Sequence, residues 1–202
     1  MKQFLLTILA IGLLSNCSNT TKDDDKNGAQ VVAPLEAGTR IIAEQSTADT
    51  LKGSLKAMAM GTIGNSGITI NYYSPAVRGR VIWGGLVPFD NVWVTGAHKA
   101  TSMEFNQEVV IGGVTVAPGK YALFTIPGKE LWTFIINKNW EQHLADDYDP
   151  KDDVVRVMVT PETEEPHQER LRYVVEEEGD EGGEVVVYWE KLEISLPVRS
   201  KN

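Results

Sequence analysis

The sequence predicts an all-β protein: a single antiparallel β-sandwich or jelly-roll-like domain that follows a signal peptide and a flexible tether. Three observations carry this. Apolar and polar residues alternate with period two through most of the chain after Gly53, the pattern of half-buried strands. The alternating runs are short and are separated by turns rich in Gly, Pro, Asn and Asp. Long stripes of helical period are missing, and the gaps between runs are too short for the crossover helices that a parallel sheet needs.

Taken in order, "SLKAMAM" opens the domain and "GTIGNSG" reads as a turn-rich link. "ITINYYS" follows, with Ile68, Ile70 and Tyr72 on one side. "KATSMEF" sets Ala100, Ser102 and Glu104 opposite Thr101, Met103 and Phe105. Gly112-Gly113 lies between "EVVI" and "VTV" as a two-residue hairpin, because glycine supplies the positive φ that primed turns require. Pro118-Gly119 breaks the chain. Pro127-Gly128-Lys129-Glu130 joins "KYALFTI" to "LWTFIIN" as a second hairpin. "DVVRVMVT", "ERLRYVVEE" and "EVVVYWEKLEISLPV" complete the set. In the last, Val185, Val187 and Trp189 share one parity while Leu192, Ile194 and Leu196 share the other, so a β-bulge is expected near Glu190-Lys191. Only "NKNWEQHLADDY" offers a helical turn or two. The acidic run from Glu162 to Glu184, including "EEEGDEGGE", reads as a polar hairpin loop whose charge blunts a sheet edge. Roughly eight to ten strands result, with no internal repeat.

The N-terminus sets the expected address. "MKQFLLTILAIGLLSNC" carries one basic residue, Lys2, and an apolar run of about eleven residues from Phe4 to Leu14. That run is too short to span a bilayer core of roughly 30 Å as a helix, and it fits the apolar region of a secretory signal. Leu14-Ser15-Asn16-Cys17 resembles the lipobox of bacterial lipoproteins, with Asn16 in place of the usual small residue. The expectation is a signal peptide over 1–16 and lipidation of Cys17, with the membrane as partner through that lipid. A plain signal peptide with an incidental cysteine is the alternative. Cys17 is the only cysteine, so no intramolecular disulfide can form. Residues 17–52 read as lipidated cysteine and flexible tether, although "APLEAGTRIIAEQSTADTLKGSL" also admits a short helix or an early strand. Lys22-Asp23-Asp24-Asp25 resembles the surface-export signal of some Gram-negative lipoproteins, and reads equally as a solvated spacer. The domain proper is 53–198, about 145 residues and ample for one core, and 199–202 is a tail.

Charge excludes some partners. The formal net charge is −9, from 19 basic and 28 acidic residues. Removing residues 1–16 takes away one basic residue and leaves 18 against 28, or −10. Nucleic acid needs a basic surface, so no nucleic acid is expected. Peripheral attraction to anionic lipid is disfavoured for the same reason.

The stretches "ITINYYSPAVRGRVIWGGLVPFDNVWVTGAHKATSMEF", "VAPGKYALFTIPGKELWTFIINKN" and "YDPKDDVVRV" carry a resemblance. The motifs are Ser-Pro-x-x-(Arg/Lys)-Gly-Arg at Ser74–Arg80, Trp-x-Thr-Gly-Ala at Trp93–Ala97, and Pro-Gly-x-Tyr-x-Leu-Phe-Thr-Ile-Pro at Pro118–Pro127. On these, residues 53–198 resemble a family of secreted bacterial proteins catalogued as domain of unknown function 2911. The resemblance implies no catalytic residues, since the family has no established activity. The family pattern reads Trp-Arg-Thr-Gly-Ala-Asn-Glu-Ala-Thr where this chain has Val94, His98 and Lys99 in place of the Arg, Asn and Glu. A shared site that uses that Arg and Glu is altered here.

Several residue groups are candidate sites. His98, with Lys99 and Glu104, could serve as base or ligand. A metal site needs three or four converging ligands, and the nearest other histidine to His98 is 45 positions away; no metal is expected, and His98 reads equally as a polar residue at a strand start. Arg78 and Arg80 could clamp an anion bidentately, or pair with the protein's own Asp and Glu. Eleven of the sixteen aromatics fall between Tyr72 and Trp140. Tyr121, Phe124, Trp132 and Phe134 sit among apolar strand neighbours and read as core, whereas Trp83, Trp93 and Trp140 lie near turns and are free to stack on a sugar ring. "DDYDPKDD" could gather oxygen ligands for calcium but lacks the Asp-x-Asp-x-Asp-Gly spacing. There is no Gly-x-Ser-x-Gly, no free cysteine once Cys17 is lipidated, and no glycine-rich phosphate loop, so no cofactor is expected and no catalytic residue is assigned.

The expected function is a lipid-anchored cell-envelope β-sandwich, held to the outer membrane on its periplasmic face or at the cell surface. It would act as a binding or accessory module for a small molecule or glycan, using Arg78, Arg80, Trp93, His98 and Glu104. The alternatives are an envelope hydrolase with a site near Arg80, Trp93, His98 and Glu104, and a purely structural envelope protein.

Overall fold

The structure is a computed structural model and describes residues 36–201, without the side chain of Glu164. The expected signal peptide, the lipidated Cys17 and the acidic run Lys22–Asp25 lie outside the described residues.

Ten strands form two antiparallel sheets. β1 (Leu55–Ile63), β2 (Ser66–Ser74), β3 (Thr101–Phe105), β6 (Gly119–Ile126), β7 (Trp132–Asn137) and β8 (Asp153–Val159) lie in the order β1-β2-β3-β6-β7-β8. β4 (Val109–Ile111), β5 (Val114–Val116), β9 (Glu162–Glu178) and β10 (Gly182–Ser200) lie in the order β5-β4-β10-β9. The described residues contain no α-helix, only one 3-10 turn at Pro150–Asp152. The all-β sandwich expected from the alternation is what the chain forms.

The period-two pattern places the core. Ile68, Ile70 and Tyr72 of β2, Met103 and Phe105 of β3, and Phe134 and Ile136 of β7 face Leu171 and Tyr173 of β9 and Val185, Val187, Ile194 and Leu196 of β10. Each such side chain contributes roughly 1.5–3 kcal/mol when fully buried. The sheets approach closely at Gly61, where an added Cβ would lie 2.7 Å from Cβ of Val175. A second, smaller apolar cluster covers the other face of β6 and β7: Ala122, Phe124 and Ile135 pack under Val94 and Ala100.

Several local features match expectation and several correct it. Gly112 and Gly113 both have positive φ, 57° and 81°, and form the hairpin between β4 and β5. The register of β10 shifts around Glu190, whose φ is 59°, so the parity switch is a bulge. "GTIGNSG" is not a long link. Its residues pair as Gly61↔Ile68, Thr62↔Gly67 and Ile63↔Ser66, which leaves Gly64-Asn65 as the turn. The run Glu162–Glu184 is not a hairpin loop. It is mostly β9, whose Leu171 and Tyr173 are buried, and the chain turns only at Gly179–Glu181. "NKNWEQHLADDY" forms bends and, at residues 144–147, turns rather than a helix. Asn137 Oδ1 accepts from the Asn139 amide and Gln142 Nε2 donates to the Asn139 carbonyl, local bonds that compete with a helical ladder.

Residues 36–52, grouped above with the tether, are fastened to the domain as a strap. The Arg40 amide donates to the Lys56 carbonyl and the Met58 amide to the Arg40 carbonyl, at 3.0 and 2.9 Å. This covers part of the exposed edge of β1. Ile42 is buried in the core, and Asp49 is ion-paired to Arg170 of β9.

Candidate functional site

Residues 75–100 link β2 to β3 without a regular strand and carry Trp83, Phe89, Trp93 and four glycines. The loop is fixed to the sheet at Trp93, whose backbone exchanges hydrogen bonds of 2.8 and 2.9 Å with Thr125 of β6. Trp83 and Trp93 then pack on Trp132 of β7 and Trp189 of β10, with ring centroids 4.9 to 6.4 Å apart. Trp93 and Trp189 are stacked at an interplanar angle of 19°. The Trp93 indole N–H donates to the Gly96 carbonyl at 3.2 Å. Those of Trp83 and Trp189 are buried without an acceptor.

The centre of the loop is held under strain. Thr95 is fully buried with φ of 48°, a left-handed conformation that β-branched residues rarely adopt. Its carbonyl accepts from the hydroxyls of Tyr173 (2.8 Å) and Thr101 (3.1 Å), and its own hydroxyl donates to Thr125 Oγ1 at 2.9 Å. Burial pushes the Tyr173 phenol well above its ordinary range, so it stays a neutral donor. His98 and Leu144 also have positive φ, 64° and 49°. Residues held this way cost of order 1–3 kcal/mol each and cluster at ligand and active sites.

Of these, His98 and Leu144 line a pocket of about 550 Å³, and Thr95 lies buried between its lining residues Val94 and Gly96. Arg80, Trp93 and His98 line it together, with Leu86, Leu144 and Asp146. Leu86 and Leu144 are apolar yet exposed at 46% and 38%. Apolar walls with a few convergent polar groups characterise small-molecule sites.

Of the five residues named from sequence, three therefore converge and two do not. Arg78 is exposed, and its guanidinium donates to the Leu51 carbonyl of the strap. Glu104 is exposed on β3, opposite Thr69 and Lys120, and lies outside the pocket. The strand parity that buries Met103 and Phe105 turns Glu104 outward. Nor do Arg78 and Arg80 pair with the protein's own carboxylates among the described residues. Arg80 folds back on its own turn and donates to the carbonyls of Ala76 and Val77. Among the described residues the arginines that do take a carboxylate are Arg156, from Asp153, and Arg170, from Asp49.

Sequence reading passed over Leu86, Leu144 and Trp189, and took Asp146 only as part of "DDYDPKDD". They reach the pocket from separate elements and carry no local motif. Ser54 also lines it, but no hydrogen bond joins Ser54, His98 and Asp146 among the described residues; Asp146 Oδ2 instead meets His143 Nδ1 at 2.9 Å. The aspartates of "DDYDPKDD" serve local structure. Asp149 caps the 3-10 turn, and Asp153 takes Arg156 at 2.7 Å and the Tyr148 hydroxyl at 2.8 Å. Among the described residues no cluster of three His, Cys, Asp or Glu is placed to hold a metal ion, and no helix is long and apolar enough to cross a membrane.

Residues 54–198 match a family described as a protein of unknown function, DUF2911. The chain belongs to this family. No curated protein and no solved structure matches it. Within this DUF2911 domain, two of the motifs that carried the resemblance meet at the pocket. Ser74–Arg80 supplies Pro75 and Arg80, and Trp93–Ala97 supplies Trp93, Val94, Gly96 and Ala97. The third, Pro118–Pro127, supplies Thr125, which holds Trp93 and Thr95 in place. Two departures from the family pattern, Val94 and His98, also line this pocket.

Proposed function

We propose that the protein is a lipid-anchored ligand-binding module of the cell envelope. In this reading Cys17 carries the anchor, and the pocket of Arg80, Trp93 and His98 receives a small molecule or glycan. One observation carries it above the others: two motif segments of the loop 75–100 converge with Leu144 and Trp189 from distant parts of the chain on a single pocket, with backbone strain at His98 and Leu144 in its wall. Strain at Thr95, His98 and Leu144 lowers stability, so a structural role alone gives no reason for its concentration there. Apolar Leu86 and Leu144 at the mouth suit the face of a sugar ring or a similar amphipathic ligand, and Arg80 and His98 supply polar contacts at its edge.

The test uses the full chain and soluble peptidoglycan fragments as the probe, read by tryptophan fluorescence. Trp93 and Trp189 line the pocket, so saturable quenching is expected. His98→Ala and Arg80→Ala should each weaken binding about tenfold, a loss of roughly 1.4 kcal/mol, with the melting temperature nearly unchanged. Cys17→Ser should move the protein from the membrane to the soluble fraction. Cleavage of the probe, lost in His98→Ala, would replace the binding reading with the hydrolase one. Absence of binding, with His98→Ala lowering only stability, would support the structural one.

A further inference from the structure

We propose that a second cleft, on the outer face of the six-stranded sheet, binds a hydroxylated small anion: a sugar carboxylate or a sugar phosphate. The cleft has a volume of about 450 Å³. Four adjacent strands contribute one face each: Lys56 of β1, Asn71 and Tyr73 of β2, Ser102 of β3 and Lys120 of β6. Lys56 stands opposite Tyr73, and Asn71 opposite Ser102. Lys99, Trp140, Gln142 and His143 close it from the loops. It adjoins the first pocket across the edge-to-face contact of Tyr73 and His98 (5.1 Å).

Its charge runs against that of the molecule. The chain carries −9 overall, yet three lysines line this cleft against two carboxylates, Glu36 and Glu141. Lys56 is ion-paired to Glu36 of the strap. Among the described residues neither Lys99 nor Lys120 has a carboxylate within ion-pair distance. Lys120 instead sits 4.1 Å from the ring centroid of Trp140. That contact fixes the ammonium in place without neutralising it. Glu36 shows what the cleft does to an anion: its hydrogen bond and ion pair with Lys56 lower its pKa, and Lys120 and Lys99 add to the effect.

Gln142 sets the second requirement. It is 5% exposed and its Nε2 donates to the Asn139 carbonyl at 2.7 Å, while its Oε1 has no donor among the described residues. Buried polar atoms are almost always satisfied. A bare anion brings only acceptors, whereas a ligand that also carries a hydroxyl could supply a donor to this residue of the cleft lining.

Full-length protein titrated with D-glucuronate, D-glucose 6-phosphate and, as neutral control, D-glucose tests this by calorimetry at low ionic strength. At least one anion should bind saturably and more weakly as salt is added. D-glucose should bind about tenfold less tightly or not at all. Which anion binds better decides between carboxylate and phosphate. The combined Lys99→Gln and Lys120→Gln variant should lose about tenfold in affinity at unchanged melting temperature. Failure of both anions to saturate, equal binding of D-glucose, or unaltered binding by the lysine variant would overturn the proposal.

Discussion

Arg170 is 1% exposed and stands at the middle of β9. Its Nε and Nη2 meet the two carboxylate oxygens of Asp49 at 2.5 and 2.8 Å, and its remaining N–H groups reach the carbonyls of Leu51, Gly53 and Ser74. Every donor of the guanidinium fork is thereby met, which is the condition for tolerating a buried charge. The hydrogen bond from Arg170 is the main reason that the Asp49 carboxyl lies well below its ordinary value of 3.8; bonds from Gln45 and the Leu51 amide add to it, and partial burial opposes them. A carboxyl lowered on folding binds its proton less readily in the folded state than in the unfolded one. Its stabilisation is therefore complete above the unfolded value and is lost as pH falls below it. Urea denaturation should show this pair contributing constant stability from neutral pH down to about pH 5, then a decline through pH 4 and below. Asp49→Asn should cost about 3 kcal/mol at pH 7 and should flatten that acid limb. An unchanged acid limb in the variant would assign the decline to other carboxylates.

Strand-level features depend on local chemistry, and the hairpin between β4 and β5 is the simplest case to test. Gly112 has φ of 57°, and an added Cβ would lie 2.8 Å from Cγ2 of Val157. Gly113 has φ of 81° and open space around its Cβ position. Gly112→Ala therefore meets both strain and a clash and should cost about 1–2 kcal/mol, while Gly113→Asn, a residue that tolerates positive φ, should cost less. Comparing the two urea midpoints separates backbone strain from side-chain collision. This hairpin was legible in the sequence because two glycines between alternating runs have one good use. The bulge at Glu190 was legible for a similar reason, since the switch of buried parity from Trp189 to Ile194 requires an extra residue. The loop 75–100 was not. Its path is set by Trp93 bridging to Thr125 and by Tyr173 reaching Thr95, contacts made across the fold. Arg80, Trp93 and His98 lie within one stretch of chain and could be grouped from sequence; Glu104 was grouped with them although its strand parity turns it away. The lysine cleft draws on residues from Lys56 to His143, and only the strand order β1-β2-β3-β6 brings them together.

At the scale of the whole molecule, the boundary of the folding unit is not the boundary of the family match. The match begins at residue 54, but the partner of the most deeply buried cation is Asp49, and the strap that holds it also closes the edge of β1 through Arg40. The strap adds more than the ion pair. Gln45 accepts from the Glu169 amide at 2.6 Å, Ile42 enters the core, and Glu36 reaches Lys56 at the lysine-lined cleft. A chain cut to begin at residue 54 would leave Arg170 buried without its carboxylate, a loss of about 3–5 kcal/mol against total stabilities of about 5–15 kcal/mol for domains of this kind. Such a truncation should therefore be far less stable than one beginning at residue 36. The deficit should exceed that of Asp49→Asn, because the edge of β1 and the contacts of Ile42 are lost as well. Side-by-side urea melts of the two truncations and of Asp49→Asn in the longer one decide the matter. If both truncations melt together, the strap lies on the domain without stabilising it. If the shorter falls only as far as Asp49→Asn, the ion pair accounts for the whole effect. The ordering expected from the contacts is the longer chain, then Asp49→Asn, then the chain beginning at residue 54.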